Sequence, residues 1–341
     1  MKKDQYNVAI VGATGAVGVA LREILAQRQF PVGELYLLAS ERSAGETVKF
    51  GDRTLVVEAL SSFDFAKADI GLFSAGGALS REYAPKAAAA GCVVIDNTSE
   101  FRYDEDIPLV VPEVNPEAIA NFSNRNIIAN PNCSTIQMVV ALKPIADRVG
   151  IERINVCTYQ AVSGSGKEAI EELQQQSQQV LAGEDPSANV YPHPIAFNVL
   201  PHIDVFQTNG YTKEEMKMVW ETRKIMGDAN ILVNPTAVRV PVYYGHSEAV
   251  HLETKGKFEL SEVRQWLAQA PGVTVLDAPE DNQYATPAQQ AAGSDSVYVS
   301  RIRRDISHEK GLNLWVVSDN VRKGAALNSV QIAELLIQDY L

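Results

Sequence analysis

The hydrophobic and polar positions in the first half of the chain repeat one arrangement, a short apolar run followed by a longer amphipathic stretch. The largely apolar runs lie at 8–11, 35–39, 70–73, 93–95 and 127–129. Short continuous runs are typical of parallel strands buried on both faces. The stretches at 17–25 and 83–90 have the character of helices between them. This order predicts an α/β fold with a Rossmann-like, doubly wound parallel sheet.

The pattern changes after about residue 150, where longer strands alternate partly between apolar and polar positions. These strands are predicted at 156–162, 237–244, 249–254, 297–302 and 312–317. Helices are predicted at 167–181, 212–226, 261–268 and 325–341. Alternation is typical of a sheet with one packed face and one face open to water or a partner. The second part of the chain is therefore predicted to be a separate α+β domain.

Length, charge and amino-acid composition exclude several classes of function. The 341 residues suggest about two domains of roughly 150 residues each. With 42 acidic and 30 basic side chains the net charge is −12, which argues against a wide nucleic-acid surface but not against a local phosphate pocket. Because no apolar run approaches ~18 residues and no signal peptide is recognisable, we expect a cytoplasmic protein without a membrane partner. Three scattered cysteines predict neither a disulfide framework nor a metal site.

A glycine-rich segment joins the first predicted strand to the first predicted helix. Gly12, Gly15 and Gly18 are spaced G-x-x-G-x-x-G, which differs from the usual dinucleotide-binding spacing G-x-G-x-x-G. Glycines at such a turn let the backbone approach a pyrophosphate, and the helix N-terminus supplies N–H groups. The segment predicts a dinucleotide site, and a tight turn without a ligand is the alternative.

The end of the second strand distinguishes NAD from NADP in folds of this type. An acidic residue there binds a ribose 2′-hydroxyl, whereas an arginine accepts a 2′-phosphate. This chain has Ser40, Glu41, Arg42 and Ser43 at that point. Arg42 between two hydroxyls favours NADP, Glu41 leaves NAD open, and a solvated loop without either role is the third interpretation.

Cys133 follows Asn-Pro-Asn and opens a predicted helix, for which Asn132 is a suitable N-cap. A thiol in the first turn lies at the positive end of the helix dipole, which favours the thiolate, and the N–H groups there can hold an oxyanion. The alternative is a small buried hydrophobic side chain, which suits Cys92 and Cys157 in their apolar strands better than Cys133. A thiolate beside a nicotinamide suggests an aldehyde or acyl-group dehydrogenase that forms a thioester.

Such an enzyme also needs a proton shuttle. Of the five histidines, His193 and His202 lie in proline-containing loops, whereas His246 is predicted to follow a strand end. A side chain in that position can project into a cleft. We therefore rank His246 first, with a structural role as the alternative.

Eight segments together resemble the aspartate-β-semialdehyde dehydrogenase family over nearly the whole chain. They are GATGAVG at 12–18, SAGG at 74–77, SEFR at 99–102, NPNCST at 130–135, TYQAVSGSG at 158–166, EEMK at 214–217, VRVPVYYGHSEAV at 238–250 and VSDNVRKGAALN at 317–328. The resemblance implies NADPH-dependent reduction of β-aspartyl phosphate to aspartate semialdehyde with release of phosphate. That reaction supplies lysine, threonine and methionine synthesis.

The resemblance also implies roles for particular residues. Cys133 corresponds to the nucleophile, His246 to the general acid/base and Gln160 to a residue that orients the acyl intermediate. Substrate and phosphate positions are matched by Arg102, Asn132, Glu214, Lys217 and Arg239. Cofactor-binding positions are matched by Gly12, Thr14, Gly15, Ala16, Val17, Ser40, Arg42, Ser43, Ser74, Gly76, Ser163, Gly164 and Asn320. Without the resemblance, Glu214 and Lys217 would be read as an ordinary surface ion pair.

By the same resemblance, residues 1–131 with a terminal helix at 323–341 form the NADP-binding domain, and 132–322 form a catalytic and dimerisation domain of a homodimer. The nearest alternative enzyme is an N-acetyl-glutamyl-phosphate reductase. Proteins of that kind place glycine before the cysteine, whereas this chain has Asn132-Cys133-Ser134. A non-catalytic NADP-binding paralogue is the alternative from another class, and the presence of Cys133, Gln160, Arg239 and His246 disfavours it.

Overall fold

A computed structural model describes residues 3–341 and divides the chain into two compact units. The first unit is Met1–Asn132 together with Ala325–Leu341, and the second is Cys133–Gly324. Among the described residues, no helix is long and apolar enough to cross a membrane.

The strands are β1 (Tyr6–Val11), β2 (Val32–Ala39), β3 (Thr47–Phe50), β4 (Arg53–Ala59), β5 (Ile70–Phe73), β6 (Val93–Asp96), β7 (Ile127–Ala129), β8 (Ile151–Gln160), β9 (Leu232–Arg239), β10 (His246–Thr254), β11 (Val273–Val275), β12 (Asp277–Ala278), β13 (Gln283–Tyr284), β14 (Val297–Arg304) and β15 (Gly311–Ser318). The α-helices are α1 (Ala16–Gln27), α2 (Gly77–Ala89), α3 (Cys133–Val149), α4 (Lys167–Leu181), α5 (Lys213–Met226), α6 (Leu260–Gln269) and α7 (Leu327–Asp339).

The first unit contains the predicted doubly wound sheet, in the order β3-β4-β2-β1-β5-β6-β7. Every neighbouring pair is parallel except β3 and β4. The continuous apolar runs are the central strands, and all four residues of β5 are buried. The β3–β4 hairpin was not predicted, because its strands are largely exposed and mix polar with apolar residues. Helix α7 belongs to this unit and carries Glu334, which pairs with Arg28 of α1.

In the second unit, the sheet order is β11-β14-β15-β10-β8-β9. Strands β8 and β9 are parallel, with Gln160 opposite Arg239, whereas β10 is antiparallel to β8, with Ser247 opposite Tyr159. These pairings bring three points of the chain together at one edge of the sheet: the carboxyl end of β8, the carboxyl end of β9 and the first residue of β10. Helices α3 and α5 pack on this sheet, against β10 and β9 respectively.

Two strand boundaries near this edge were predicted wrongly. The strand expected at 237–244 is β9, which ends at Arg239, and His246 is the first residue of β10 instead of following a strand end. Pro241 has no N–H for a sheet hydrogen bond, and Gly245 has φ +92°, so the chain turns between the two strands.

Candidate active site

Three predicted side chains come together at the edge where β8, β9 and β10 meet. Gln160 ends β8, Arg239 ends β9 and His246 begins β10. All three are buried, with at most 4% of their surface exposed. Buried polar side chains need hydrogen-bond partners. The partners of these three side chains therefore determine which groups remain available to a ligand.

His246 is held in one ring orientation by the backbone of Ala161. The Ala161 N–H donates to Nδ1 at 3.0 Å, while Nε2 has no partner among the described residues. Burial, reinforced by the positive charge of Arg239, lowers the pKa of His246 to about 3. The ring is therefore neutral near pH 7, and because Nδ1 accepts a hydrogen bond, its single proton lies on Nε2.

Arg239 is fixed by the same residue. Its Nη1 donates to the Ala161 carbonyl at 2.7 Å, and its guanidinium lies 5.7 Å from the centre of the Tyr191 ring. Its Nε is buried without an acceptor among the described residues. A Cβ on Gly164 would lie 3.0 Å from Arg239 Nη1 and 3.3 Å from His246 Nε2. The missing side chain at Gly164 thus keeps open the space beside both groups.

Gln160 connects this edge to α5. Its Nε2 is 3.2 Å from both Glu214 Oε1 and Thr158 Oγ1. Glu214 Oε2 in turn accepts from Lys217 Nζ at 2.9 Å, since the two residues are one helical turn apart.

Lys217 is a largely enclosed cation between two carboxylates, not an exposed surface partner. It also donates to Asp204 at 2.8 Å, and only 12% of its side chain is exposed. Burial lowers the pKa of Lys217, but attraction to Glu214 and Asp204 outweighs it and leaves the pKa raised. Burial raises the pKa of Asp204, but its contacts with Lys217 dominate and the pKa is lowered. Lys217 is therefore charged at neutral pH, and one of its three N–H groups is left for a ligand.

Cys133 is the first residue of α3, as predicted, and is partly exposed. Gly324 lies against it, because a Cβ there would come 2.7 Å from Cys133 Cβ. One turn further along the same face, Gln137 Nε2 donates to the His246 carbonyl at 3.4 Å. The helix start that carries Cys133 is thus attached to the strand start that carries His246.

Ser163 and Asn320, both predicted to bind the cofactor, hold one another. Asn320 Nδ2 lies 2.9 Å from Ser163 Oγ, and Asn320 Oδ1 accepts from the Gly245 N–H at 2.9 Å. Because Gly245 precedes His246, this network fixes the loop that leads into β10.

In the first unit, the glycine loop has the geometry of a dinucleotide cradle. Gly12 has φ +89°, and a Cβ there would come 3.0 Å from the backbone of Ser74 and Ala75. A Cβ on Gly18 would lie 2.2 Å from the Gly12 carbonyl oxygen, so only glycine fits. Helix α1 begins at Ala16 and supplies the N–H groups of its first turn. These features fit a pyrophosphate.

The remaining predicted cofactor segments of this unit follow the carboxyl ends of other strands. Segment 40–43 follows β2 and segment 74–76 follows β5, at the same edge as the glycine loop. Glu41 pairs with Ser61, whereas no carboxylate pairs with Arg42 among the described residues. The pairing favours Arg42 over Glu41 as the ligand contact. Arg102 is buried in this unit and donates to the Asn97 carbonyl at 2.8 Å.

Comparison with known proteins identifies the family to which this chain belongs. Residues 7–122 match the family model "Semialdehyde dehydrogenase, NAD binding domain", and 142–323 match "Semialdehyde dehydrogenase, dimerisation domain". An aspartate-semialdehyde dehydrogenase of Shewanella violacea is 63% identical over 98% of this chain and 99% of its own length. The chain belongs to the aspartate-semialdehyde dehydrogenase family.

Solved structures of this family agree. The chain aligns with the crystal structure of aspartate semialdehyde dehydrogenase II of Vibrio cholerae complexed with ASA, with a TM-score of 0.98, 60% identity, and coverage of 99% of this chain and 100% of that one. An aspartate semialdehyde dehydrogenase of Candida albicans with NADP aligns with a TM-score of 0.75 and 26% identity, covering 97% and 98%. The predicted fold class is confirmed, and the family's dimerisation domain agrees with the predicted homodimer.

The second unit brings together Gln160, Arg239, His246, Glu214 and Lys217, whereas Arg102 and Asn132 belong to the first unit. Ala161 was not predicted as a site residue, although its backbone N–H and carbonyl hold His246 and Arg239. Backbone contacts leave no residue-type signal, so only the structure could find it. Of the other cysteines, Cys92 is fully buried, which raises the pKa of its thiol to about 12, in keeping with the structural role assigned to it.

Proposed function

We propose that this chain reduces β-aspartyl phosphate to aspartate semialdehyde with NADPH, and catalyses the reverse reaction with phosphate and NADP. The observation that carries the proposal is that Arg239 Nε and His246 Nε2 are buried donors without acceptors among the described residues, and that both side chains border the position a Cβ on Gly164 would fill. They suit a ligand with a carboxylate and a reacting carbonyl oxygen. Cys133 at a helix start supplies the nucleophile for that carbonyl.

Arg239 is assigned to the substrate α-carboxylate. One side of its guanidinium is occupied by the Ala161 carbonyl, and the side that carries Nε remains for a bidentate contact. Lys217 and Arg102 are assigned to the phosphate, and Glu214 to the substrate's cationic side. Gln160, next to Glu214, is assigned to orient the acyl group.

In the first half of the reaction, the Cys133 thiolate attacks the acyl carbon. The bond from that carbon to the phosphate oxygen then breaks, the phosphate leaves with the electron pair and takes a proton from water, and a thioester remains. NADPH, when bound, supplies the hydride that reduces the thioester carbon. The carbon–sulfur bond then breaks, which releases the aldehyde and restores the thiolate.

Under this scheme His246 donates a hydrogen bond and no proton leaves it. Both halves pass through a tetrahedral oxyanion that collapses by expelling phosphate or thiolate, so neither requires a base once the thiolate exists. A neutral ring with its proton on Nε2 can stabilise that oxyanion, together with the N–H groups at the start of α3. This assignment is narrower than the general acid/base role that the resemblance implied.

The residues assigned to NADP are Gly12, Thr14, Gly15, Ala16, Val17, Ser40, Arg42, Ser43, Ser74, Gly76, Ser163, Gly164 and Asn320. Close backbone approach at Gly12 and the start of α1 suit the pyrophosphate, and Arg42 suits the 2′-phosphate. A cytoplasmic location is also proposed, since none of the three cysteines forms a disulfide in the described structure, which suits a reducing compartment.

The decisive assay follows NADPH formation from aspartate semialdehyde, NADP and phosphate. We expect turnover that requires phosphate. Turnover with N-acetyl-glutamate semialdehyde, and none with aspartate semialdehyde, would support the reductase alternative. Absence of turnover with either, in protein that still binds NADP, would support the non-catalytic paralogue.

Arg42→Ala is expected to raise the KM for NADPH by about tenfold, because a charge-assisted contact to the 2′-phosphate contributes roughly 1.5–3 kcal/mol when well ordered. The KM for NADH should stay unchanged, since NADH has no 2′-phosphate. Initial rates with both cofactors measure this, and Glu41→Ala is the matched control, with little change for NADPH. Equal losses for both cofactors would rule out a role for Arg42 in 2′-phosphate recognition.

Arg239→Lys is expected to raise the KM for aspartate semialdehyde by roughly tenfold to a hundredfold while changing kcat less, because an ammonium keeps the charge but loses the bidentate fork. Steady-state kinetics with varied aspartate semialdehyde measure both constants. Arg223→Lys is a control, since that guanidinium donates to the Ile231 carbonyl away from the proposed site. An unchanged KM would count against Arg239 as the carboxylate partner.

A further inference from the structure

Glu248 is a fully buried acidic residue that the proposed chemistry does not use. It lies on β10, two residues after His246, so both side chains project from the same face of the sheet. None of its surface is exposed, and neither carboxyl oxygen makes a hydrogen bond of normal geometry with the described residues. An ionised carboxylate in such a place would lose its hydration without gaining a hydrogen-bond donor or an opposite charge.

The polar side chain beside this carboxyl group is Gln137 of α3, which is also fully buried. Gln137 Nε2 donates to the His246 carbonyl, but Gln137 Oε1 has no donor among the described residues. As long as Glu248 is ionised, its two carboxyl oxygens and Gln137 Oε1 are buried acceptors without a donor at normal hydrogen-bond geometry among the described residues. A proton on Glu248 turns one of its oxygens into a donor for Gln137 Oε1 and satisfies both groups.

The surroundings of Glu248 favour that proton. Burial raises the pKa of Glu248 well above its usual value, and the nearby Gln137 amide opposes this only in part. Its neighbours on the packed face are Thr158 and Val316 across the sheet, His246 and Val250 along its strand, and Gln137. The titratable neighbour among them is His246, which is neutral at working pH, and the thiol of Cys133 lies one turn before Gln137 on α3.

We propose that Glu248 is a neutral carboxylic acid that donates a hydrogen bond to Gln137 and so positions Cys133 relative to His246. The resulting hydrogen-bond network connects the Glu248 carboxyl group, the Gln137 amide and the His246 carbonyl, in that order. Cys133 and Gln137 share one face of α3, four residues apart, so a fixed Gln137 fixes the distance between the nucleophile and the ring. Displacements of about 1 Å in such a pair cost on the order of a hundredfold in rate.

The inference rests on the proposed function for its kinetic test. Glu248→Gln keeps the shape and a donor, and its kcat is expected to stay close to that of the wild type. Glu248→Met keeps the length without a donor and is expected to lower kcat at least tenfold, with little change in the KM for aspartate semialdehyde. Gln137→Met should show the same loss in kcat. The double variant should be no slower than either single variant, because each of the three breaks the same hydrogen bond between Glu248 and Gln137. Additive losses, or a Gln variant as slow as the Met variant, would overturn the positioning role.

Two readouts do not depend on activity. The infrared spectrum of the wild type at pH 7, minus that of Glu248→Gln, should contain the carbonyl band of a protonated carboxylic acid. The free energy of unfolding of the wild type, relative to Glu248→Gln, should fall as the pH rises above 4.5, because the unfolded chain then loses a proton that the folded chain keeps. A carboxylate band instead, or a difference that grows with pH, would overturn the neutral assignment. Failure of the wild type to convert aspartate semialdehyde would refute the proposed function and leave these two readouts valid.

Discussion

Cys133→Ala is expected to lower kcat by at least about 10⁴-fold, because the proposed reaction has no route that bypasses the thioester. Alanine keeps the Cβ against which Gly324 packs, so the folded structure should persist. Initial rates with aspartate semialdehyde, NADP and phosphate measure the loss, and the urea midpoint checks the fold. A variant that keeps near-normal, phosphate-dependent turnover would exclude Cys133 as the acyl carrier.

Cys157→Ala is the matched control for this experiment. Cys157 is a free, half-buried cysteine of the same unit, in the middle of β8 and away from the strand edge that carries Gln160. We expect it to keep nearly the wild-type rate. A complementary experiment incubates the wild type with aspartate semialdehyde and NADP without phosphate, and mass spectrometry should then find an aspartyl group on the peptide that contains Cys133.

His246→Ala is expected to lower kcat by about 10²–10³-fold, the range seen when one oxyanion donor is removed. His246→Gln should recover a substantial part of this rate, because its amide N–H can donate but cannot exchange a proton. The measurement is kcat against pH for the wild type and both variants. The wild type and the Gln variant should share one profile between pH 6 and 8, since a ring with a pKa of about 3 does not titrate there. If glutamine is as inactive as alanine, His246 transfers a proton and the donor assignment is wrong.

His246 should also make the fold sensitive to acid. Its pKa is lowered from 6.5 to about 3 in the folded protein, so between these values the unfolded chain binds the extra proton. The contribution of the neutral ring to stability is therefore complete above pH 6.5 and is lost as the pH falls, by at most about 1.4 kcal/mol per pH unit. Urea unfolding at pH 7 and pH 5 should show a smaller pH effect in His246→Gln than in the wild type. Equal pH effects in the two proteins would contradict the buried, neutral ring.

Much of the fold could be predicted because its signals are local. The continuous apolar runs of β5 and β7 and the glycine turn between β1 and α1 each occupy a few consecutive residues, and the structure has them where they were predicted. The same is true of the helix start at Cys133. The boundary between β9 and β10 failed, because the apolar stretch on both sides of Pro241 reads as one strand, although proline and the left-handed Gly245 interrupt the hydrogen bonding.

The sequence predicted which residues form the candidate site. It predicted much less of their protonation states and hydrogen bonds. The sequence by itself determined a dinucleotide-binding first unit, a cysteine at a helix start, and the family motifs that single out Gln160, Arg239 and His246. Only the tertiary structure decided the proton position on His246, the free side of the Arg239 guanidinium and the pairing of Glu41 with Ser61. It also decided that Glu248 lies beside Gln137. The physical reason is that charge state and hydrogen-bond direction depend on burial and on partners far along the chain, such as Ala161 for His246, 85 residues away. No local pattern encodes such a partner, and the packing of β8, β9, β10 and α3 supplies it.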